Sequence, residues 1–238
     1  MTPAGPIKAI LFDKDGTILD YARTWLPINR EVALFAAGGD PRLADVLLKR
    51  GGHDPVTDIV AAGSPLAAGS IEDIADAFAN HLGKRTPTRF IEHIDRIFRD
   101  GGARHAVLID GAYEAMARLK SQGYRLGIAT NDTIGGLEAS LSRHAQVLDL
   151  CEFLAGCDSG HGAKPDPGMV QAFSACIGLP PRSIAVVGDA VHDLEMGARG
   201  GAGLKVAVLS GTSSHADLVS HADVILPSLR ELPQHLAA

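Results

Sequence analysis

Asp13-Lys14-Asp15-Gly16-Thr17 sets two carboxylates two residues apart, directly after the apolar run Ala9-Ile10-Leu11-Phe12. Crowding two acids at the end of a buried strand is costly unless a cation neutralises them. Gly16 permits a sharp backbone turn there, although an ordinary acidic turn closing a strand would use the same residues. Thr130-Asn131-Asp132 follows Gly127-Ile128-Ala129. A hydroxyl and adjacent backbone N–H groups at a strand end can hold a phosphoryl oxygen, and the same triplet can also cap a helix. Lys164-Pro165-Asp166-Pro167 comes after Gly160-His161-Gly162, with prolines that fix the backbone and aim Lys164 inward. A helix start with Asp166 as cap and Pro167 in first position explains two of those residues but not the lysine. Gly188-Asp189-Ala190-Val191-His192-Asp193 follows the apolar residues 184–187. Asp189 belongs at the strand tip, and Asp193, four residues on, falls on the same helical face.

Singly, each of these groups has an ordinary structural use. Together they combine acids suited to a hard cation with a hydroxyl and an ammonium suited to an anion. Oxygen ligands and a phosphate substrate favour Mg²⁺, and no histidine-rich spacing points to zinc.

The elements that must position these residues alternate in type. Short apolar runs at 7–12, 124–129, 152–155, 183–187, 204–209 and 223–226 read as strands buried on both faces. Helical patterns over 112–121, 135–145, 167–177 and 192–199 lie between them, with Gly123 and Gly178 just past two of these, where a left-handed cap favours glycine. This is the pattern of an α/β fold with a Rossmann-like parallel sheet and helices on both faces. Each motif then falls at the carboxyl end of a strand, where open sheets bind ligands. One interval breaks the rhythm: about 110 residues separate the first two strands, where a crossover unit needs about 30. Within it the patterning predicts helices over 28–37, 41–50, 55–62, 71–82 and 88–98. The breaks at Gly38-Gly39, Gly51-Gly52, Gly63-Ser64-Pro65 and Gly83 suit helix-to-helix turns. The expected organisation is an α/β core of residues 1–20 and 105–238, with an all-α domain of residues 21–104 inserted as a cap.

A formal charge of −6, with acids and bases mixed along the chain, argues against nucleic acid as a partner. Three cysteines, Cys151, Cys157 and Cys176, without a Cys-x-x-Cys pair, fit a reducing compartment. No stretch approaches the roughly 18 apolar residues of a membrane span. A cytoplasmic protein without a membrane partner, monomeric or homodimeric, is expected.

In this order, Asp13-x-Asp15-Gly16-Thr17, Thr130, Lys164-Pro165 and Gly188-Asp189-x-x-x-Asp193 resemble the four motifs of the haloacid dehalogenase-like superfamily. The subgroup resembled carries an α-helical cap between the first two motifs and includes phosphoglycolate phosphatases. The resemblance implies that Asp13 is a nucleophile forming an aspartyl-phosphate and that Asp15 is the general acid and then base. It implies Mg²⁺ held by Asp13, the Asp15 backbone carbonyl and Asp189, with Asp193 orienting their surroundings. Thr130, the Asn131 backbone and Lys164 would stabilise the transferring group. Dehalogenases of the superfamily lack the second aspartate, so Asp15 argues for phosphate chemistry on a small phosphorylated metabolite such as phosphoglycolate. A phosphosugar mutase shares every core motif, and a ligand-binding module that lost catalysis would lack Asp15 or Lys164. Phosphonatases use a cap lysine, here Lys49 or Lys84, and nothing marks either as reactive. Lys14 is expected to contribute its backbone N–H rather than its side chain. Lys49-Arg50-Gly51-Gly52-His53 could offer cations to a second anionic group, or be a solvated basic turn. Arg23-Thr24-Trp25 could line the entrance, with Trp25 equally placed to anchor the first cap helix. His161 and His192 flank two motifs as surface or supporting residues.

Overall fold

Six apolar runs pair into one parallel sheet in the order β3-β2-β1-β4-β5-β6. The strands are β1 (Ala9–Phe12), β2 (Arg125–Ala129), β3 (Phe153–Ala155), β4 (Ile184–Gly188), β5 (Leu204–Val208) and β6 (Val224–Leu226). The structure is a computed structural model that describes residues 6–83 and 87–237; Lys84 lies outside these. Each expected strand is present, its ends within two residues of those expected. β1 is central, with Phe12 level with Ile128 of β2 and Val187 of β4. Its side chains alternate between faces. Ile10 and Phe12 enter one core with Met116 and Leu137, while Ala9 and Leu11 enter the opposite core with Val170 and Phe173. Burial on both faces is why β1 and β4 read as continuous apolar runs.

The interval between β1 and β2 is helical: α1 (Tyr21–Ala36), α2 (Pro41–Gly51), the single turn α3 (Pro65–Ala68), α4 (Ile71–His81) and α5 (Thr88–His105). α1 packs against α2 and α5, and α4 closes the group around a third core that includes Ile28, Val32, Leu47, Phe78 and Ile94. The remaining helices cover the sheet: α6 (Ala112–Ser121), α7 (Ile134–Leu141), α8 (Ala145–Leu148), α9 (Gly168–Ile177), α10 (Val191–Gly200), α11 (His215–Leu218) and α12 (Leu232–His235).

Three expectations are corrected. Residues 55–62 form no helix. The Asp54 carboxylate accepts the Val56 N–H at 2.9 Å, Asp58 adopts φ 58°, and His53 bridges to Val60. A side chain that satisfies its own turn competes with helix formation, and the β-branched Val56, Thr57, Ile59 and Val60 add to the bias. α1 begins seven residues earlier than expected, because the Asp20 carboxylate caps the Arg23 N–H at 3.0 Å and Pro27 is accommodated within the helix. α5 continues through Gly101-Gly102 to His105. Its packing against α1 and α7 outweighs a glycine penalty of about 1 kcal/mol each.

Two adjacent strands of chain connect the helical group to the sheet. Ile109 N–H donates to Ile18 O and Asp20 N–H to Val107 O, both at 2.9 Å. Thr24, buried, accepts the Val107 N–H at 3.1 Å through its hydroxyl. The helical group therefore stands over the carboxyl end of β1, whose neighbours β2 and β4 run to opposite sides of the sheet. That topological switch opens the crevice in which such sheets hold ligands.

Candidate active site

Asp13 is the first residue beyond β1, and its N–H extends the ladder to Val187 O at 2.8 Å. Its carboxylate is therefore aimed by the central strand. Thr130 is fixed in the same way beyond β2, by its N–H to Ala155 O at 3.0 Å. Asp189 follows β4 directly. These three, with Asp15, Asn131 and residues of α1, α3, α4 and α5, line one cavity of about 80 Å³.

Lys164 lies beneath it. Its ammonium, 5% exposed as a residue, donates to Asp13 Oδ1 at 2.5 Å and to Asp193 Oδ1 at 2.7 Å. Asp193 sits in the first turn of α10, where Oδ2 accepts the Ala190 N–H at 3.0 Å, so both of its oxygens are engaged. Asp13 Oδ2 is buried and has no hydrogen-bond partner. Carboxylate oxygens of Asp13, Asp189 and Asp193 lie within 4.8 Å of one another. Three acids against one lysine leave uncompensated negative charge in a place nearly closed to water. Burial, more than the repulsion from Asp193 and Asp15, raises Asp13 to about 7. Burial and the charges of Asp13 and Asp193 raise Asp189 well above the usual carboxylate range. An all-oxygen, over-negative cluster of this kind suits a hard divalent cation.

Asp15 is organised separately. Trp25 Nε1 donates to its Oδ1 at 2.7 Å, and Lys14 Nζ lies 3.0 Å from its Oδ2. Burial raises its pKa, Lys14 opposes that rise, and Asp132 adds to it. This corrects the expectation for Lys14: its side chain is wholly buried. The ammonium bonds Asp132 at 2.9 Å and Ser140 Oγ at 3.3 Å and lies 4.7 Å above the Trp25 ring. Burial would lower the Lys14 pKa, but Asp132 and Asp15 overcome it and push it up to about 12. Trp25 is both the helix anchor, against Phe98, and a lining residue.

The Thr-Asn-Asp triplet does not cap α7; Thr133 does, accepting the Gly136 N–H at 3.1 Å. Asn131 instead accepts the Lys164 N–H at 2.7 Å and donates to Ala68 O at 3.3 Å, joining the Lys164 loop to α3. Asp166 does not cap α9 either, whose capping position is Pro167 without a side-chain bond. Lys49 and Arg50 are exposed on α2 and do not line the cavity. His53 is buried 3.0 Å from Asp58. His161 stacks obliquely near Phe153, whereas His192 lines the cavity, 3.4 Å from Asp193, with its pKa lowered by burial.

The loop after β5 was absent from the sequence-based site. Thr212 N–H donates to Asp189 Oδ2 at 2.9 Å, and Ser210 Oγ donates to Gly16 O at 2.7 Å. The rule that found the other motifs, a polar loop beyond a strand's carboxyl end, applies equally to Ser210-Gly211-Thr212. Asn29 and Tyr21, also lining, carry no sequence signal beyond their place on a cap helix.

Residues 7–201 match the family described as haloacid dehalogenase-like hydrolase. Over 232 residues the chain is 28% identical to the N-acetylmuramic acid 6-phosphate phosphatase of Pseudomonas aeruginosa, covering 95% of this chain and 93% of that protein. It is 27% identical over 237 residues to a phosphoglycolate phosphatase of Cereibacter sphaeroides, covering 95% and 99%. In fold it is similar to a hydrolase of the same family from Deinococcus radiodurans, solved with bound phosphate and sodium. That likeness has a TM-score of 0.68 at 23% identity, over 98% of this chain and 96% of the other. No helix among the described residues is long and apolar enough to cross a membrane.

Proposed function

We propose, from the premise that this chain belongs to the haloacid dehalogenase-like hydrolase family, that it is a magnesium-dependent phosphatase acting on a small phosphorylated metabolite. Residues 21–104 serve as its cap, over a core of residues 1–20 and 105–238. The observation that carries this reading is the Asp13 carboxylate: one oxygen tied to Lys164, the other buried and unpartnered, beside Asp15 in one cavity.

Asp13 Oδ2 attacks phosphorus while the ester P–O bond breaks, giving an aspartyl-phosphate. Asp15 donates its proton to the departing alkoxide. Its raised pKa suits that role, and Trp25 and Lys14 hold its two oxygens in place. As a carboxylate, Asp15 then takes a proton from the water that attacks phosphorus, and the bond to Asp13 breaks to release phosphate. Thr130, the Asn131 backbone and Lys164 offset charge on the transferring group. Asp13, Asp189 and the Asp15 carbonyl would hold Mg²⁺, with Asp193 steadying Lys164 and the loop around Asp189. When bound, the metal offsets the mutual repulsion of carboxylate and phosphate dianion.

A panel of phosphate monoesters, phosphoglycolate among them, assayed with Mg²⁺ and with chelator tests the reading. Phosphate release is expected to fall at least about 100-fold in chelator and to return with Mg²⁺. A rate indifferent to chelation would sink the metal assignment. A sugar 1-phosphate converted to its isomer without free phosphate would mark a mutase instead.

A substitution outside the ligand set gives a second check. A methyl group on Gly211 would overlap the Asp189 carboxylate, forcing it off the Thr212 N–H. Gly211→Ala is expected to weaken Mg²⁺ binding by roughly tenfold or more, the scale for groups that orient a metal's ligands. Titration calorimetry measures this, and unaltered affinity would show that Asp189 does not hold the ion.

A further inference from the structure

Asn29 lies on α1, fully buried, and faces the same cavity as Asp13 and Asp15. Neither its amide oxygen nor its amide nitrogen has a hydrogen-bond partner among the described residues. The adjacent Tyr21 hydroxyl donates to Leu66 O at 2.5 Å, and the Asn29 side chain makes a hydrogen-bonding approach to that hydroxyl that falls short of a formed bond. Burying an amide without partners is unfavourable, and such a residue is retained where a ligand supplies the missing groups. Asn29 offers one donor face and one acceptor, which together suit a hydroxyl, itself both donor and acceptor.

The rest of the cap wall narrows the ligand further. It is built from Trp25, Leu66, Ile71, Ile74 and Phe98, and no lysine or arginine is among the described residues lining the cavity. The two ammonium groups beneath it are committed, Lys14 to Asp15 and Asp132 and Lys164 to Asp13 and Asp193. Asp15 and Asp132 also face the cavity. A leaving group bearing a carboxylate or a second phosphate would be desolvated beside these acids without a cation to meet it. At about 80 Å³, the half-open cavity lies below the roughly 300–1,000 Å³ of ordinary ligand sites.

We propose that Asn29 is a specificity-determining residue that reads a hydroxyl of the leaving group, and that the preferred ester is the phosphate of a short, uncharged polyol. This rests on the phosphatase reading above. It departs from the charged leaving groups that the names of the sequence relatives would suggest.

The test compares glycerol phosphate, ethyl phosphate and phosphoglycolate, with Mg²⁺, in the wild type and in Asn29→Leu, an apolar side chain of similar size. In the wild type, kcat/KM for glycerol phosphate is expected to exceed that for phosphoglycolate at least tenfold. In the variant, the preference for glycerol phosphate over ethyl phosphate is expected to collapse by 10- to 100-fold. The melting temperature of the variant is expected to equal or exceed that of the wild type, since an unpaired buried amide has been removed. A lowered melting temperature would mean that the amide is satisfied within the protein, and would overturn the proposal. Preference for phosphoglycolate, or a glycerol-to-ethyl ratio unmoved by the substitution, would overturn it while leaving the phosphatase reading intact. Turnover of none of the three esters, with phosphate released from another monoester of the panel, would overturn this proposal alone; release from no ester of the panel would sink both.

Discussion

Asp13→Asn is expected to reduce phosphate release by roughly 10⁴-fold or more, the scale seen when a covalent nucleophile is removed, with the fold preserved. The amide matches the carboxylate in shape and keeps an oxygen for Lys164, but it cannot form the aspartyl-phosphate. Wild-type turnover in this variant would remove Asp13 from the mechanism. The folded protein, free of metal, also predicts how stability responds. Asp13 is raised from 3.8 to about 7, first by burial and then by neighbouring acids. A carboxyl group with a folded pKa above its unfolded value favours the native state when protonated. Its ionisation therefore costs stability progressively between about pH 4 and pH 7, and the full cost is present above that window. Asparagine does not titrate. In chelator, the melting temperature of the variant relative to the wild type is expected to rise from pH 5 to pH 8. A fall would mean that Asp13 is stabilised as the anion. Lys164 retains Asp193 at 2.7 Å in the variant, so its ammonium is not left without a partner.

Asp15→Asn tests the proton rather than the bond to phosphorus. On an alkyl phosphate, kcat/KM is expected to fall by about 10²- to 10⁴-fold, the usual contribution of a positioned acid or base. On p-nitrophenyl phosphate, whose leaving group departs without a proton, kcat/KM is expected to fall by less than tenfold. This parameter reports the step through cleavage of the ester. The kcat for both substrates is expected to drop, because water activation in the second step also needs Asp15. Equal losses of kcat/KM on the two esters would assign Asp15 a structural role. The distinction is worth making because Asp15 is held by Lys14 at 3.0 Å and by Trp25 at 2.7 Å. A residue so embedded could disable the site merely by shifting its neighbours. Asparagine retains an acceptor for Trp25, which limits that disturbance.

Much of this is legible in the sequence. Buried parallel strands must be apolar on both faces, so β1 and β4 stand out as unbroken runs. A chain leaving such a strand must place its next polar residues at the carboxyl end of the sheet, which is where Asp13, Thr130 and Asp189 fall. Spacing within one turn likewise anticipated Asp193 beside the tip of β4. The inserted helices were visible from periodicity and glycine breaks. Their limits were not, because an Asp20 cap, an accommodated Pro27 and packing over Gly101-Gly102 all override local propensity. Residues 55–62 misled for a related reason: one Asp54 side-chain bond redirects the backbone in a way that no average pattern expresses.

The tertiary structure alone decided which groups meet. Lys14 and Asp132 are 118 positions apart in sequence and bond at 2.9 Å. A lysine expected to contribute only its backbone N–H is in fact a buried counterion. Trp25 reaches Asp15 only because α1 packs down onto the end of β1, and Thr212 reaches Asp189 only because β5 lies beside β4. Asn29 has a buried, unpartnered amide only because the surrounding helices close over it. Local sequence encodes strand ends and helix faces through sterics and hydrophobic periodicity. The pairing of distant charges follows from how those elements stack, and there Asp13 acquires its lysine, its neighbouring acids and its cavity.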